Sequence, residues 1–282
     1  MSVGAPTDPA TGTTLEDAAA PSRGPRGWRR VWEKYGLAFL FTICLIVLWE
    51  VTLRVTHTHE YLLPKPTDIV RAFQADWSEI LWPNTWPTVA EILMGFAISV
   101  VAGIGLAILL HLFAPLRRTT YPLLIGSQTI PIVVLAPILV ILFGFGTLPK
   151  VIIVALICFF PIVVNGLDGL RTVDDDFIRM MRTLDATRYG IFRRVEFPAA
   201  LPSIFSGMRI AATFAAIGAV FGEWAGSNRG LGFVMLASGP TLETSRIFAA
   251  ILILTGIALL LFALVSALER ILVPWASRGG SM

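Results

Sequence analysis

Six stretches of this chain stay apolar for long enough to cross a lipid bilayer, and no other feature limits the fold as much. A helix through the hydrocarbon needs about 20 predominantly apolar residues. Such stretches cover Leu37–Leu53, Thr88–Phe113, Pro122–Phe143, Leu148–Gly166, Ser203–Ala225 and Arg246–Val273. The bilayer core offers no water to satisfy backbone N–H and C=O groups, so a spanning segment is either a helix or a strand of a closed barrel. These runs are continuously apolar and do not alternate, which argues against the barrel. The expected fold is an all-α polytopic membrane protein of six transmembrane helices, with no room for a large soluble domain. Only 15% of the 282 residues are charged, against about a quarter in a soluble domain.

The arginines and lysines set the orientation. With the N-terminus inside, the inner side carries Arg23, Arg26, Arg29, Arg30 and Lys34, then Arg117 and Arg118. It also carries Arg171, Arg179, Arg182, Arg188, Arg193 and Arg194, and finally Arg270 and Arg278. The outer loops hold Arg54, Lys65, Arg71, Lys150, Arg229 and Arg246, and Arg209 lies near a membrane boundary. Fifteen against six places both termini in the cytoplasm. The net charge of +3 follows from this topology and gives no argument for nucleic acid. Residues 1–34 read as a disordered, basic cytoplasmic N-terminus, because the first twenty are small, polar and rich in Pro and Thr. They lack the charged start of a signal peptide. Residues 35–275 form the six-helix domain, and 276–282 a cytoplasmic tail.

A search for chemistry finds little. No Gly-rich loop ends in GK[ST], so the chain does not hydrolyse ATP through a P-loop, and HExxH, CxxC and GxSxG are missing as well. Cys44 and Cys158 fall in predicted spans and suggest neither a disulfide framework nor a metal site. His57, His59 and His111 sit at membrane boundaries, where histidines are usually solvated. The expectation is a transport subunit rather than an enzyme, with no catalytic residue and no metal.

Charge inside a bilayer is costly and usually faces a cavity or a partner. Glu50 and Glu91 lie near span ends and read as interfacial or paired. Glu223, in GAVFGEWAG beside Trp224, reads either as part of a substrate path or gate, or as half of a structural ion pair. Trp224 also suits an aromatic belt. Gln128 and Asn165 are further pathway candidates, although interhelical hydrogen bonding explains them equally well. Small residues line two ridges of the fifth span: Gly218, Gly222 and Gly226, and Gly207, Ala211, Ala215 and Ala219. They allow close packing within the chain or between subunits. Pro131, Pro137 and Pro161 interrupt the third and fourth spans.

Between the fourth and fifth spans lies a polar island, residues 167–202. Phe177, Met180, Met181 and Leu184 fall at i, i+3, i+4 and i+7, one face of a helix. Asp174 can cap that helix, and Asp175 and Asp176 suit the positive end of its dipole. A second short helix is expected at Arg188–Val195, with Pro198 and Pro202 bracketing the approach to the fifth span. Two short helices joined by a tight corner suit a docking lever. The island carries six basic and six acidic residues from Asp168 to Glu196. That balance favours a protein groove over lipid headgroups.

This island resembles the EAA loop of importer-type ATP-binding cassette (ABC) permeases, whose pattern is E-A-A, three residues, Gly, nine residues, then I-x-L-P. The spacing matches Arg179-Met180-Met181, then Asp185, then Val195-Glu196-Phe197-Pro198. RTLDATRYGIFRRVEFPAALPSIFSGMRIA, LLPKPTDIVRAF and TIPIVVLAPILVILFGFGTLPK are similar to the nitrate/sulfonate/taurine/pyrimidine branch, and the resemblance covers roughly residues 35–275. It implies a type I ABC importer permease fold, a homodimer in the inner membrane surrounded by lipid, and an external solute-binding protein. It also implies an ABC ATP-binding subunit at the cytoplasmic loop, touching Arg179, Met180, Met181, Thr183, Leu184, Asp185, Ala186 and Pro198. ATP and Mg would sit on that subunit, leaving this chain without a cofactor. Three departures stand out. Arg179 reverses the charge of the usual Glu, and Met180 and Met181 replace alanines with flexible apolar chains suited to an adaptable groove. Asp185 replaces Gly but tolerates the left-handed backbone of such a corner.

The segment FSGMRIAATFAAIGAVFGEWAGSNRGLGFVML is similar to permeases for thiamine-precursor pyrimidines, with riboflavin, taurine/alkanesulfonate and nitrate permeases as alternatives. Six spans and Glu223 also permit a secondary transporter driven by an ion gradient, against which stands the lack of an inverted repeat. A membrane scaffold is the reading if no ATPase binds.

Overall fold

The computed structural model describes residues 26–275, with side chains from residue 36 onward apart from residue 38. The expected tail, 276–282, and residues 1–25 of the expected N-terminal segment lie outside the described residues. The chain divides into two units, one ending at Val55 and one beginning at Thr56. The first contains α1 (Arg26–Val55), which carries the first apolar run. Near its end Arg54 pairs with Glu50 at 2.7 Å, one helical turn away.

The second unit contains α2 (Pro66–Asp76), a π-helical turn at Trp77–Leu81, α3 (Trp82–Leu112), α4 (Ala114–Ser127), α5 (Ile132–Phe143) and α6 (Thr147–Leu170). After these come α7 (Asp175–Thr183), α8 (Arg188–Ile191), a second π-helical turn at Phe192–Glu196, α9 (Phe197–Gly226), α10 (Leu231–Ser238) and α11 (Thr244–Leu272). All regular structure among the described residues is helical, as expected. Four continuous helical stretches are long and apolar enough to span: Pro66–Leu112, Thr147–Leu170, Arg188–Gly226 and Thr244–Leu272. The bent pair α4–α5 makes a fifth if it is counted as one.

That pair refines one expectation, the interruption of the third span at Pro131. Pro122–Phe143 is not a straight span, because α4 and α5 meet at 97°. Pro131 has no N–H and disfavours helical backbone at the residue before it. The chain turns there, with Pro131 extended as the cap of α5. Ser127 and Thr129 hydroxyls donate to the carbonyls of Leu124 and Gly126, each at 2.7 Å, which offsets helix bonds lost at the break.

The polar island departs from expectation in a different way. The second short helix begins at Arg188 but does not stop at Val195. It continues through the π-helical turn into α9, so that Arg188–Gly226 is one helix of 39 residues. Pro198 comes just after the π-helical turn and Pro202 lies one turn further on, so both prolines are carried inside this continuous helix.

The core forms around α6, which packs between α3 and α9. Val154, Cys158 and Ile162 on α6 and Ala211, Ala212 and Ala215 on α9 are all fully buried. The small-residue ridge of α9 serves this contact. A β-carbon on Gly207 would fall 2.7 Å from the Pro161 carbonyl, and one on Gly218 would fall 2.9 Å from the Val154 backbone. Packing within the chain therefore accounts for both positions. At the far edge α11 leans on α9 and α2. There Arg246 grips Asp76 through two bonds at 2.6 and 3.2 Å, and Arg209 pairs with Glu269 at 2.6 Å.

Candidate functional site

Two sites stand out, one at each end of the helix Arg188–Gly226. The first is the corner between α7 and α8. Asp174 caps α7 by accepting the Asp176 amide at 2.8 Å, as its position predicts. The helix ends in a reciprocal pair of bonds: the Ala186 amide reaches the Met181 carbonyl, and the Asp185 amide the Arg182 carbonyl, each at 3.1 Å. This is the Schellman arrangement, which needs a left-handed residue at Asp185. Its φ is +57°, so Asp185 does here what glycine usually does. The Thr187 hydroxyl then accepts the Gly190 amide at 3.1 Å and starts the next helix.

The corner holds an apolar face open. Phe177, Met180 and Leu184 are 45%, 52% and 75% exposed, and Met181 is half-buried. Arg179 and Thr183 are exposed as well; Arg179 pairs with Asp176 one turn back, and the Thr183 hydroxyl donates to the Met180 carbonyl. Seven of the eight residues expected to meet an ATPase thus lie together in α7 and its corner, with Ala186 half-buried. Pro198 lies apart from them, half-buried at the start of α9. Two bonds tie the segment after the corner to the end of α3. Arg188 donates to the Leu112 carbonyl, and His111 Nε2 meets Glu196 Oε2, both at 2.9 Å.

The second site lies at the other end of α9. Gly230 precedes α10 and has no side chain to cap it, so the helix takes its caps from elsewhere. The amide of Gly230 donates to Asn84 Oδ1 at 2.8 Å, and that of Leu231 to Thr88 Oγ1 at 2.9 Å. Glu223 Oε2 accepts the amides of Gly232 at 2.5 Å and Phe233 at 3.2 Å, and Oε1 accepts the Thr88 hydroxyl at 2.6 Å. A carboxylate suits the positive end of a helix dipole. Gly230 has a φ of +118°, and a β-carbon there would overlap the Glu223 carboxylate. Glu223 is fully buried. Beside it Glu91 pairs with Lys150, also out of solvent, and Lys150 donates to Ser227 Oγ at 3.1 Å.

The other pathway candidates lie on different elements. Trp224 donates its indole N–H to the Gly232 carbonyl at 3.0 Å, and its ring lines an apolar cavity of about 480 Å³ with Phe221 and Met235. Gln128 is exposed at the α4–α5 break. Asn165, half-buried in α6, donates to the Pro161 carbonyl at 2.8 Å. Sequence reasoning missed Asn84, Thr88 and Lys150. Asn84, Thr88 and Glu91 follow one another at i, i+4 and i+7 along α3, a polar stripe that could have been read as one face.

A family profile described as "Binding-protein-dependent transport system inner membrane component" matches residues 98–278. The chain is 41% identical over 240 residues to the formylaminopyrimidine transport permease protein ThiX of Halalkalibacterium halodurans, covering 85% of this chain and 95% of that protein. It is 34% identical to the riboflavin transport system permease protein RibX of Chloroflexus aurantiacus, over 86% of this chain and 91% of that one. An inward-facing structure of the MetNI methionine ABC transporter superposes with a TM-score of 0.58 at 19% identity, covering 74% of this chain and 97% of that one. That likeness shows a shared fold.

Proposed function

Since the chain belongs to the family of binding-protein-dependent transport system inner membrane components, we propose that it is the permease of an ATP-driven importer for a small aminopyrimidine. The observation that carries the transport role is the open apolar face of α7, held rigid by the corner at Asp185. Burying Phe177, Met180 and Leu184 fully would be worth up to about 1.5–3 kcal/mol each. A groove on a separate ATPase, which would hold the ATP and Mg, is the occupant this reading assigns. Both termini and this corner then face the cytoplasm, and an external binding protein delivers the solute from the other side. Two copies of the chain form the path between them.

ATP shifts the access of that path only if the ATPase contacts differ between its two states. In this reading closure of the ATPases moves α7 and its corner as one body, and the unbroken helix Arg188–Gly226 carries the motion outward. The aminopyrimidine assignment draws on the 41% identity to the formylaminopyrimidine permease; riboflavin is the alternative, from the 34% relative.

Reconstitution with the cognate ATPase and binding protein tests the reading. ATP-dependent uptake of a labelled formylaminopyrimidine is expected, with little uptake of riboflavin. The reverse preference would move the substrate to riboflavin, and uptake independent of any ATPase would sink the ABC assignment.

A further inference from the structure

Under α7 lies a polar cavity of about 580 Å³, bounded by the ends of α3 and α6 and by α8. Four arginines line it: Arg117, Arg171, Arg182 and Arg188. Arg188 is engaged by the Leu112 carbonyl. Arg117, Arg171 and Arg182 make no ion pair or side-chain hydrogen bond among the described residues. Three carboxylates share the walls. Two are occupied, Asp174 in capping α7 and Glu196 in its contact with His111, which leaves Asp175 as the free acid.

Three unpaired guanidinium groups around one cavity repel each other, and a multivalent anion relieves that repulsion. Guanidinium forks match the oxygens of a phosphate in paired bonds. The cavity is on the side of α7 away from its apolar face. Asp175, Ile178 and Arg182 line it, whereas Phe177, Met180 and Leu184 each fall two positions later, about 200° around the helix. A protein docked on the apolar face would therefore leave the cavity to a smaller ligand.

We propose that this cavity binds a phosphate group through Arg117, Arg171 and Arg182, pinning α7 to the start of α4 and the end of α6. The site goes beyond the transport role and does not depend on the substrate. The phosphate is either a free anion or the headgroup of an anionic phospholipid, since Leu112 and Leu170 at the ends of apolar helices line the same cavity.

Two arms test the proposal on the full chain. In one, the thermal unfolding of the protein in phosphatidylcholine nanodiscs is followed in sodium phosphate and in sodium chloride at matched ionic strength. In the other, native mass spectrometry counts phosphatidylglycerol retained per chain from mixed phosphatidylglycerol/phosphatidylcholine micelles. Saturable binding of about one phosphate group per chain in either arm is expected. The variant Arg117→Gln/Arg171→Gln/Arg182→Gln should weaken it at least tenfold. A response in the first arm assigns a free anion, and one confined to the second assigns a lipid headgroup. If the triple variant does not fold, Arg182→Gln alone should weaken binding at least threefold. No saturable binding in either arm, or equal binding by wild type and variants, overturns the proposal. A cavity filled only by the ATPase would give that result too.

Discussion

Thr88 stands between Glu223 and the start of α10: its hydroxyl donates to Glu223 Oε1 at 2.6 Å and accepts the Leu231 amide at 2.9 Å. One side chain thus joins three helices. Thr88→Val preserves the volume but removes both bonds at once, leaving a buried amide without an acceptor. Each such loss costs about 1–3 kcal/mol. Thr88→Val should melt at a clearly lower temperature in detergent, and Thr88→Ser should stay near wild type. Equal melting of Val and wild type would remove the bridging role.

Lys150 and Glu91 make a second test in the same region. Lys150→Met leaves the Glu91 carboxylate buried without its partner, a change that costs about 3–5 kcal/mol in comparable sites. The double variant Lys150→Met/Glu91→Leu removes both charges and should recover most of the lost stability. Failure of the second change to rescue the first would mean that the pair does not act as a unit.

At the other end, Met180→Asp/Met181→Asp places charge on the open face of α7. Met180 is exposed and Met181 half-buried, so the folded chain should insert normally and keep most of its thermal stability. Co-purification with the ATPase, and transport, should be lost. Normal uptake by this variant would rule out α7 as the docking face.

The corner itself is tested at Asp185. Gly there keeps the left-handed backbone freely, whereas Val makes it costly by about 1–2 kcal/mol or more. Asp185→Gly should transport like wild type. Asp185→Val should uncouple ATP hydrolysis from uptake, read as ATPase activity that no longer responds to the loaded binding protein. Indifference to both substitutions would show that the corner is not rigid in the working complex.

These two sites differed in how far the sequence revealed them, for a physical reason. The signals of the α7 corner are local: Asp174 two residues before the amide it accepts, apolar spacing over eight residues, and a resemblance to the EAA loop that sets Asp185 at the position of its glycine. The cap of α10 is built from Asn84, Thr88 and Glu223, and Thr88 and Leu231 are 143 positions apart. No window on the sequence brings them together. Glu223 could be noticed as a carboxylate in an apolar run, but its partners could not be named. The visible clue was negative: α10 begins after Gly230 with no Ser, Thr, Asp or Asn of its own to cap it. The break at Pro131 could be placed from the sequence but its angle could not, because an apolar run records composition and says nothing of the direction the chain takes.

The helix Arg188–Gly226 has a mechanical corollary. At 1.5 Å per residue its 39 residues make a rod roughly 58 Å long, with the corner at one tip and the Glu223 clasp at the other. Among its residues, the π-helical turn at Phe192–Glu196 is the one departure from α geometry, and it lies within the first two and a half turns. Beyond it Pro202 forfeits one backbone bond, and from there to Gly226 the helix runs on without a break. α6 lies against the rod all the way from Ala200 to Gly222, so a sideways nudge at the Asp185 tip cannot tilt the rod alone. Rod and α6 shift as one packed body, and the Glu223 clasp hands that shift on to α3 and α10.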